Sequence, residues 1–182
     1  MKDMLLRPHP AWDVVDLANT AGRRLCQGLT RAFVRDMVEA YRTTSTPTCY
    51  VILEVIPELT LRDTCGAGLV KAMCLMESSP DEWTIDLFCA QKGSGRPLMD
   101  KVFDLVKKKG RVRRITLNST LDAWKFYWKC GYRLDLREED SPVSRIPVTS
   151  LFNMDLVDAY LQTWLRAHRK VRDVQIPMVL TL

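Results

Sequence analysis

The stretch of this 182-residue chain best suited to chemistry is Cys89-Ala90-Gln91-Lys92-Gly93-Ser94-Gly95-Arg96-Pro97-Leu98-Met99. It joins an apolar, β-like run to the most regular helical pattern in the sequence. Glycine lets the backbone take φ > 0 and lets a ligand come close. The first N–H groups of a helix have no partner within it, and the macrodipole adds partial positive charge there. Together these features form a cradle for a phosphate or pyrophosphate. Lys92 and Arg96 add positive charge on either side, and Pro97 fits the first helical turn without offering an N–H.

The loop matches neither common phosphate pattern. No Gly-Lys-Ser/Thr follows it, which excludes G-x-x-x-x-G-K-[ST], and Leu98 stands where G-x-G-x-x-G needs its third glycine. Taken alone, Gly93-Ser94-Gly95 fits an ordinary strand-to-helix turn as well as an anion cradle.

A second segment reads Ala123-Trp124-Lys125-Phe126-Tyr127-Trp128-Lys129-Cys130-Gly131-Tyr132. With both segments in hand, the chain resembles the GNAT superfamily of N-acyltransferases. That family's cofactor loop is [Q/R]-x-x-G-x-[G/A], followed by a small residue and two apolar ones. Gly93, Gly95, Leu98 and Met99 match it. The family's later signature is A-x-x-F-Y-x-x-x-G-F, matched by Ala123, Phe126, Tyr127, Gly131 and Tyr132. Ala90 occupies the usual Gln/Arg position, with Gln91 one place late, and Pro97 occupies that of the small residue. The resemblance runs from about Met4 to Leu136.

The resemblance implies acetyl-CoA as co-substrate and direct transfer of its acyl group to an amine acceptor. The backbone of Phe88, Cys89 and Ala90 would lie along the pantetheine arm. Lys92, Gly93, Ser94, Gly95 and Arg96 would hold the pyrophosphate, and Asn118 joins this cofactor-binding set. Tyr127 matches the family's tyrosine that protonates the leaving thiolate. A phenol with pKa near ~10 can donate that proton at neutral pH. The alternative is that Phe126, Tyr127 and Trp128 pack a short helix onto a sheet, and Phe126 is read as core. A base is also required, because a protonated amine cannot attack a thioester. Asp86, in the otherwise largely apolar run Trp83 to Phe88, is the candidate, since burial raises a carboxylate pKa towards neutrality. The alternative for Asp86 is a structural ion pair. Glu82, Glu54 and Glu77 are weaker candidates.

The elements that must position these residues follow from periodicity. Met4–Arg7 reads as a short strand, and Pro10 starts a helix running towards Ala21. Thr30 is a plausible N-cap for a helix carrying Phe33, Val34, Met37, Val38 and Tyr41. Strands are expected at Cys49–Ile56, Leu69–Met76 and Trp83–Ala90, all apolar on both faces. Arg96–Lys109 carries Leu98, Met99, Val102, Phe103 and Val106 on one face, with Lys107–Lys109 in its last turn and Gly110 as C′ residue. A strand at Ile115–Leu117, a short helix at Leu121–Lys129 and a strand at Tyr132–Leu136 follow. Glu138–Thr149 reads as loop. Asn153–Lys170 is a helix whose apolar face holds Leu156, Val157, Tyr160, Leu161, Trp164 and Leu165. Gln175–Leu182 is the last strand, with Pro177 favouring an edge or a bulge. The expected fold is α/β (α+β): a mixed, mostly antiparallel central sheet flanked by helices, in one domain spanning 1–182.

Composition bounds the rest. Hydrophobic residues at 47% and charged residues at 27% describe a globular chain. No window approaches ~18 apolar residues, so no membrane helix is expected. The start of the sequence lacks the apolar core of a signal peptide, and the sequon Asn118-Ser119-Thr120 is therefore given no weight. The location expected is cytoplasmic. Six cysteines contain no C-x-x-C pair, and there are only two histidines, so no metal site is expected. The cysteines read as packing thiols of a reducing compartment. A net charge of +5 fits an anionic ligand or nucleic acid. Lys107–Arg114 holds most of the local excess but lacks interleaved aromatics, which argues against nucleic acid. Glu138-Glu139-Asp140 could attract a cationic acceptor. The segments expected to select that acceptor are Thr20–Thr30 and Arg137–Ser150.

Overall fold

A computed structural model describes residues 5–6, 25–26, 29–43, 49–55, 70–137, 141–168 and 174–182. They group into two compact units, Met1–Val112 and Arg113–Leu182. The helix expected from Pro10 to Ala21 and the acidic run 138–140 lie outside the described residues.

In the first unit, β1 (Leu5–Leu6), β2 (Cys49–Val55), β3 (Val70–Ser78) and β4 (Glu82–Ala90) pair in sequence order, each antiparallel to the next. Helix α1 (Arg31–Thr43) begins where Thr30 Oγ1 accepts the N–H of Phe33 at 3.2 Å, so the expected cap is in place. Helix α2 (Gly95–Lys109) packs against β2, β3 and β4. It buries Leu98, Met99, Val102, Leu105 and Val106. That spacing is a single helical stripe, and it moves Phe103, expected in the core, to a half-exposed flank. The helix ends at Gly110 (φ +71°), whose N–H donates to the Lys107 carbonyl at 3.1 Å. This is the left-handed cap anticipated from the sequence, with three lysines along the negative end of the dipole.

Strand β3 is buried from Ala72 to Met76. β4 differs: Trp83, Ile85, Leu87 and Cys89 are buried, while Thr84, Asp86, Phe88 and Ala90 on the other face are half-exposed. Its two faces are therefore not equivalent, and the expectation of a strand apolar on both faces fails here, because Glu82, Thr84 and Asp86 lie on the half-exposed one.

In the second unit, β7 (Gln175–Thr181) lies between β5 (Arg114–Thr120) and β6 (Arg133–Leu134), antiparallel to both. Pro177 is thus not on an edge. Its carbonyl accepts the N–H of Asp135 at 2.9 Å, so the missing proline N–H falls on the side of β6, just where that two-residue strand ends. Helix α3 (Trp124–Lys129) packs against β5 and β7. A short 3-10 turn (Val148–Ser150) leads to helix α4 (Met154–Ala167). Asn153 caps α4 by accepting from the N–H groups of Asp155 at 3.0 Å and Leu156 at 3.2 Å. Val157 and Leu161 are fully buried, whereas Leu156, expected on the same face, is 49% exposed. Lys125 of α3 donates to Asp158 of α4 at 2.6 Å.

Two cysteines behave differently from expectation. Cys26 and Cys89 are joined in a disulfide, with Cα atoms 5.1 Å apart. The expectation of packing thiols holds for Cys74 and Cys130, which are buried. It fails for this pair because the fold brings residues 63 apart in sequence within bonding geometry. No helix among the described residues is long and apolar enough to cross a membrane.

Candidate active site

The candidate site in the first unit is the end of β4 and the loop into α2. Ala72 lies opposite Ala90, Met73 opposite Cys89, and Cys74 opposite Phe88. This register breaks between Leu75 and Met76, because Leu75 faces Leu87 while Met76 faces Ile85. Asp86 is the extra residue of the resulting β-bulge. Bulges bend a strand and re-aim a side chain. Asp86 is half-buried, not enclosed as expected. Its charge lies near Cys74, whose thiol is pushed up first by burial and further by Asp86.

Beyond Ala90 the chain remains tied to β3, since the Gln91 N–H donates to the Lys71 carbonyl at 2.8 Å. The Ser94 N–H then donates to the Gln91 carbonyl at 3.0 Å, closing a turn over residues 91–94. That turn requires Gly93 at φ +89°, where a side chain would be strained. A Cβ built on Gly93 would meet nothing within 4 Å, so the space beside the loop is open. Gly95 has no positive φ and is the first residue of α2, so only one of the two glycines is used for left-handed geometry.

Ser94 is the N-cap of α2, but its side chain makes no capping hydrogen bond, and the first turn holds no acidic residue. Lys92 and Arg96 are both exposed beside this helix start. Arg96 reaches along the helix to Asp100, Nε to Oδ1 at 3.0 Å. An open, left-handed glycine turn before a 15-residue helix, flanked by cations and free of carboxylates in its first turn, fits an anionic ligand. Asp86, Phe88, Cys89, Ala90, Lys92, Gly93, Ser94, Gly95 and Arg96 are thus continuous along one strand and loop.

Asn118 and Tyr127 belong to the second unit. Asn118 is exposed on β5, opposite Pro177. Tyr127 is 6% exposed on α3, and its N–H donates to the Ala123 carbonyl at 3.4 Å. Its ring meets Phe126 at 5.2 Å and Tyr132 at 5.8 Å, both edge to face. Phe126, expected in the core, is half-exposed. The core of this helix is supplied instead by Trp124 and Tyr127, with Tyr132 just beyond it. Gly131 (φ +99°) makes the sharp exit, and a Cβ there would meet Leu180 Cδ1 at 3.4 Å. The signature glycine therefore serves a left-handed turn packed against β7.

Sequence reading missed the Asp86 bulge and the Cys26–Cys89 bond. A bulge has no signature in a run such as Trp83–Phe88, and a long-range disulfide has none without a partner spacing.

No protein-family model matches the sequence, and no curated protein matches it. Solved structures do match it. The aminoglycoside 6'-N-acetyltransferase from Enterococcus faecium superposes with a TM-score of 0.55 at 12% identity, over 99% of this chain and 95% of that one. The PaiA N-acetyltransferase from Thermoplasma acidophilum, in complex with coenzyme A, gives 0.54 at 9% identity, over 100% and 98%. A candidate GNAT-family acetyltransferase from Desulfovibrio desulfuricans gives 0.55 at 12%, over 99% and 96%. The chain therefore has the GNAT N-acyltransferase fold, the mixed, mostly antiparallel sheet flanked by helices that the sequence led us to expect.

Proposed function

We propose that this chain is an acyl-CoA-dependent N-acyltransferase that moves an acetyl group from acetyl-CoA to an amine. The observation that carries this reading is the loop at Gly93, open and left-handed, at the head of a long helix whose first turn holds no carboxylate. The coenzyme A complex of a protein with the same fold supports the choice of ligand.

In this reading the backbone from Lys92 to Arg96 binds the pyrophosphate, and the Lys92 and Arg96 side chains add charge. The main chain of Phe88, Cys89 and Ala90 aligns the pantetheine arm, with Asn118 as a further cofactor contact. The thioester supplies an activated acyl carbon, and the residues manage two protons. Asp86, half-buried at the bulge of β4, accepts the proton of the attacking amine, directly or through water. Tyr127 donates its phenolic proton to the departing thiolate. The acceptor is an amine of unassigned identity, either a small molecule or a protein.

The sequence also admits a CoA-binding module without turnover, but no observation favours it. The cytoplasmic setting rests on sequence alone, and the Cys26–Cys89 bond stands against its reducing character. The test is release of CoA from acetyl-CoA over a panel of amines. Amine-dependent release that falls about 100-fold or more in Tyr127→Phe, with CoA affinity retained, supports the reading. Release that does not depend on Tyr127 would remove that residue, and binding without release by any amine would leave the silent module.

A further inference from the structure

The disulfide joins two places that sequence keeps far apart. Cys26 opens a turn in which its carbonyl accepts the Leu29 N–H at 3.1 Å, directly before the Thr30 cap of α1. Cys89 is the next-to-last residue of β4, opposite Met73, and the Gly93 loop follows within a few residues. Both cysteines are only 6% exposed. Cys74, the nearby thiol on β3, lies opposite Phe88 and so points to the other face of the sheet from Cys89.

We propose that Cys26 and Cys89 form an oxidative modification site whose closure tightens acyl-CoA binding by fixing the end of β4. The inference rests on the acyl-CoA reading of the Gly93 loop. That loop holds its ligand through backbone groups, so any freedom it has before binding must be lost on binding. A cross-link anchoring Cys89 to the entry of α1 removes part of that freedom in advance. Closure converts two thiols into one S–S bond with loss of two hydrogens, which pass to a low-molecular-weight disulfide and release two small thiols. Opening is the reverse, with a dithiol reductant becoming a cyclic disulfide. Burial of both sulfurs slows attack, so each form can be prepared and then measured.

The full chain is prepared oxidised, and separately reduced with dithiothreitol. Each is digested with trypsin after blocking thiols, and each is titrated with CoA in a calorimeter. Trypsin separates residues 25–31 from 72–92. The oxidised sample should yield these two peptides joined, two hydrogens lighter than their sum, with fragment ions assigning the link to Cys89 and not Cys74. CoA should bind about fivefold more tightly to the oxidised form. Cys26→Ser, which leaves β4 unaltered, should match the reduced protein and ignore dithiothreitol. Absence of the joined peptide, or equal CoA affinity in both forms, would overturn the proposal while leaving the acyl-CoA reading intact. If the joined peptide forms but neither form binds CoA, the acyl-CoA reading fails and takes the coupling with it. Should Cys26→Ser fail to fold, reduced wild type supplies the same comparison.

Discussion

The N–H of Tyr132 donates to the carbonyl of Tyr127 at 3.1 Å, and their rings stand edge to face 5.8 Å apart. The proposed acid is thus held by packing on its ring and by its own backbone. Tyr127→Phe keeps the ring contacts, so its melting temperature should stay within a few degrees of wild type, as a loss of about 1 kcal/mol implies. Tyr127→Ala removes them and should cost about 3–5 kcal/mol. Thermal melts of both variants beside their kcat values separate the acid from the packing residue: only loss of kcat in the folded Phe variant marks the former.

Gly131 offers a second test. Its positive φ and the 3.4 Å approach to Leu180 act in the same direction. Gly131→Ala should destabilise the chain by about 1–2 kcal/mol, lowering the melting temperature by roughly 2–8 °C. An unchanged melting temperature would mean the exit from α3 is not made in this conformation.

The sequence made the helix boundaries of the site legible because they are written in local chemistry. Thr30, Gly110 and Asn153 are capping residues and act as such. The Gly93 turn was legible for the same reason. Phe103, Phe126 and Leu156 were misassigned because apolar character alone does not decide which flank of a helix faces the core. The bulge at Asp86 and the bond at Cys89 arise from pairing between strands and between distant segments, which local pattern does not encode.

Asp135 bears on stability, not chemistry. Arg137 donates to it through Nε at 2.8 Å and through its backbone N–H at 3.1 Å, with a further contact from Nη2 to Oδ2. The hydrogen bonds from the Arg137 side chain are the main cause holding this carboxyl below its usual range. A depressed folded pKa adds stability above the unfolded value near ~3.9, and that contribution is lost as pH falls through the folded pKa. Asp135→Asn should therefore cost about 1–3 kcal/mol at pH 7, and less as the pH drops below ~4. Denaturant melts across that range check it, and a constant difference would contradict it.

Arg96 separates ligand binding from folding. Its pair with Asp100 is exposed, with side chains 57% and 54% accessible. Arg96→Ala should change stability by less than about 0.5 kcal/mol. It should weaken CoA several-fold, most at low salt, because screening shortens the reach of an exposed charge. Titrations at two salt concentrations, beside a thermal melt, test both statements.

In the proposed reading, the loop after β4 binds CoA through its backbone and charge. Calorimetric titration of CoA into the intact protein tests it most directly. Binding should be saturable with one site per chain, and weakened when Gly93 is replaced by valine, because a β-branched residue strains the left-handed turn. No binding at millimolar CoA, or binding indifferent to Gly93→Val, would contradict it.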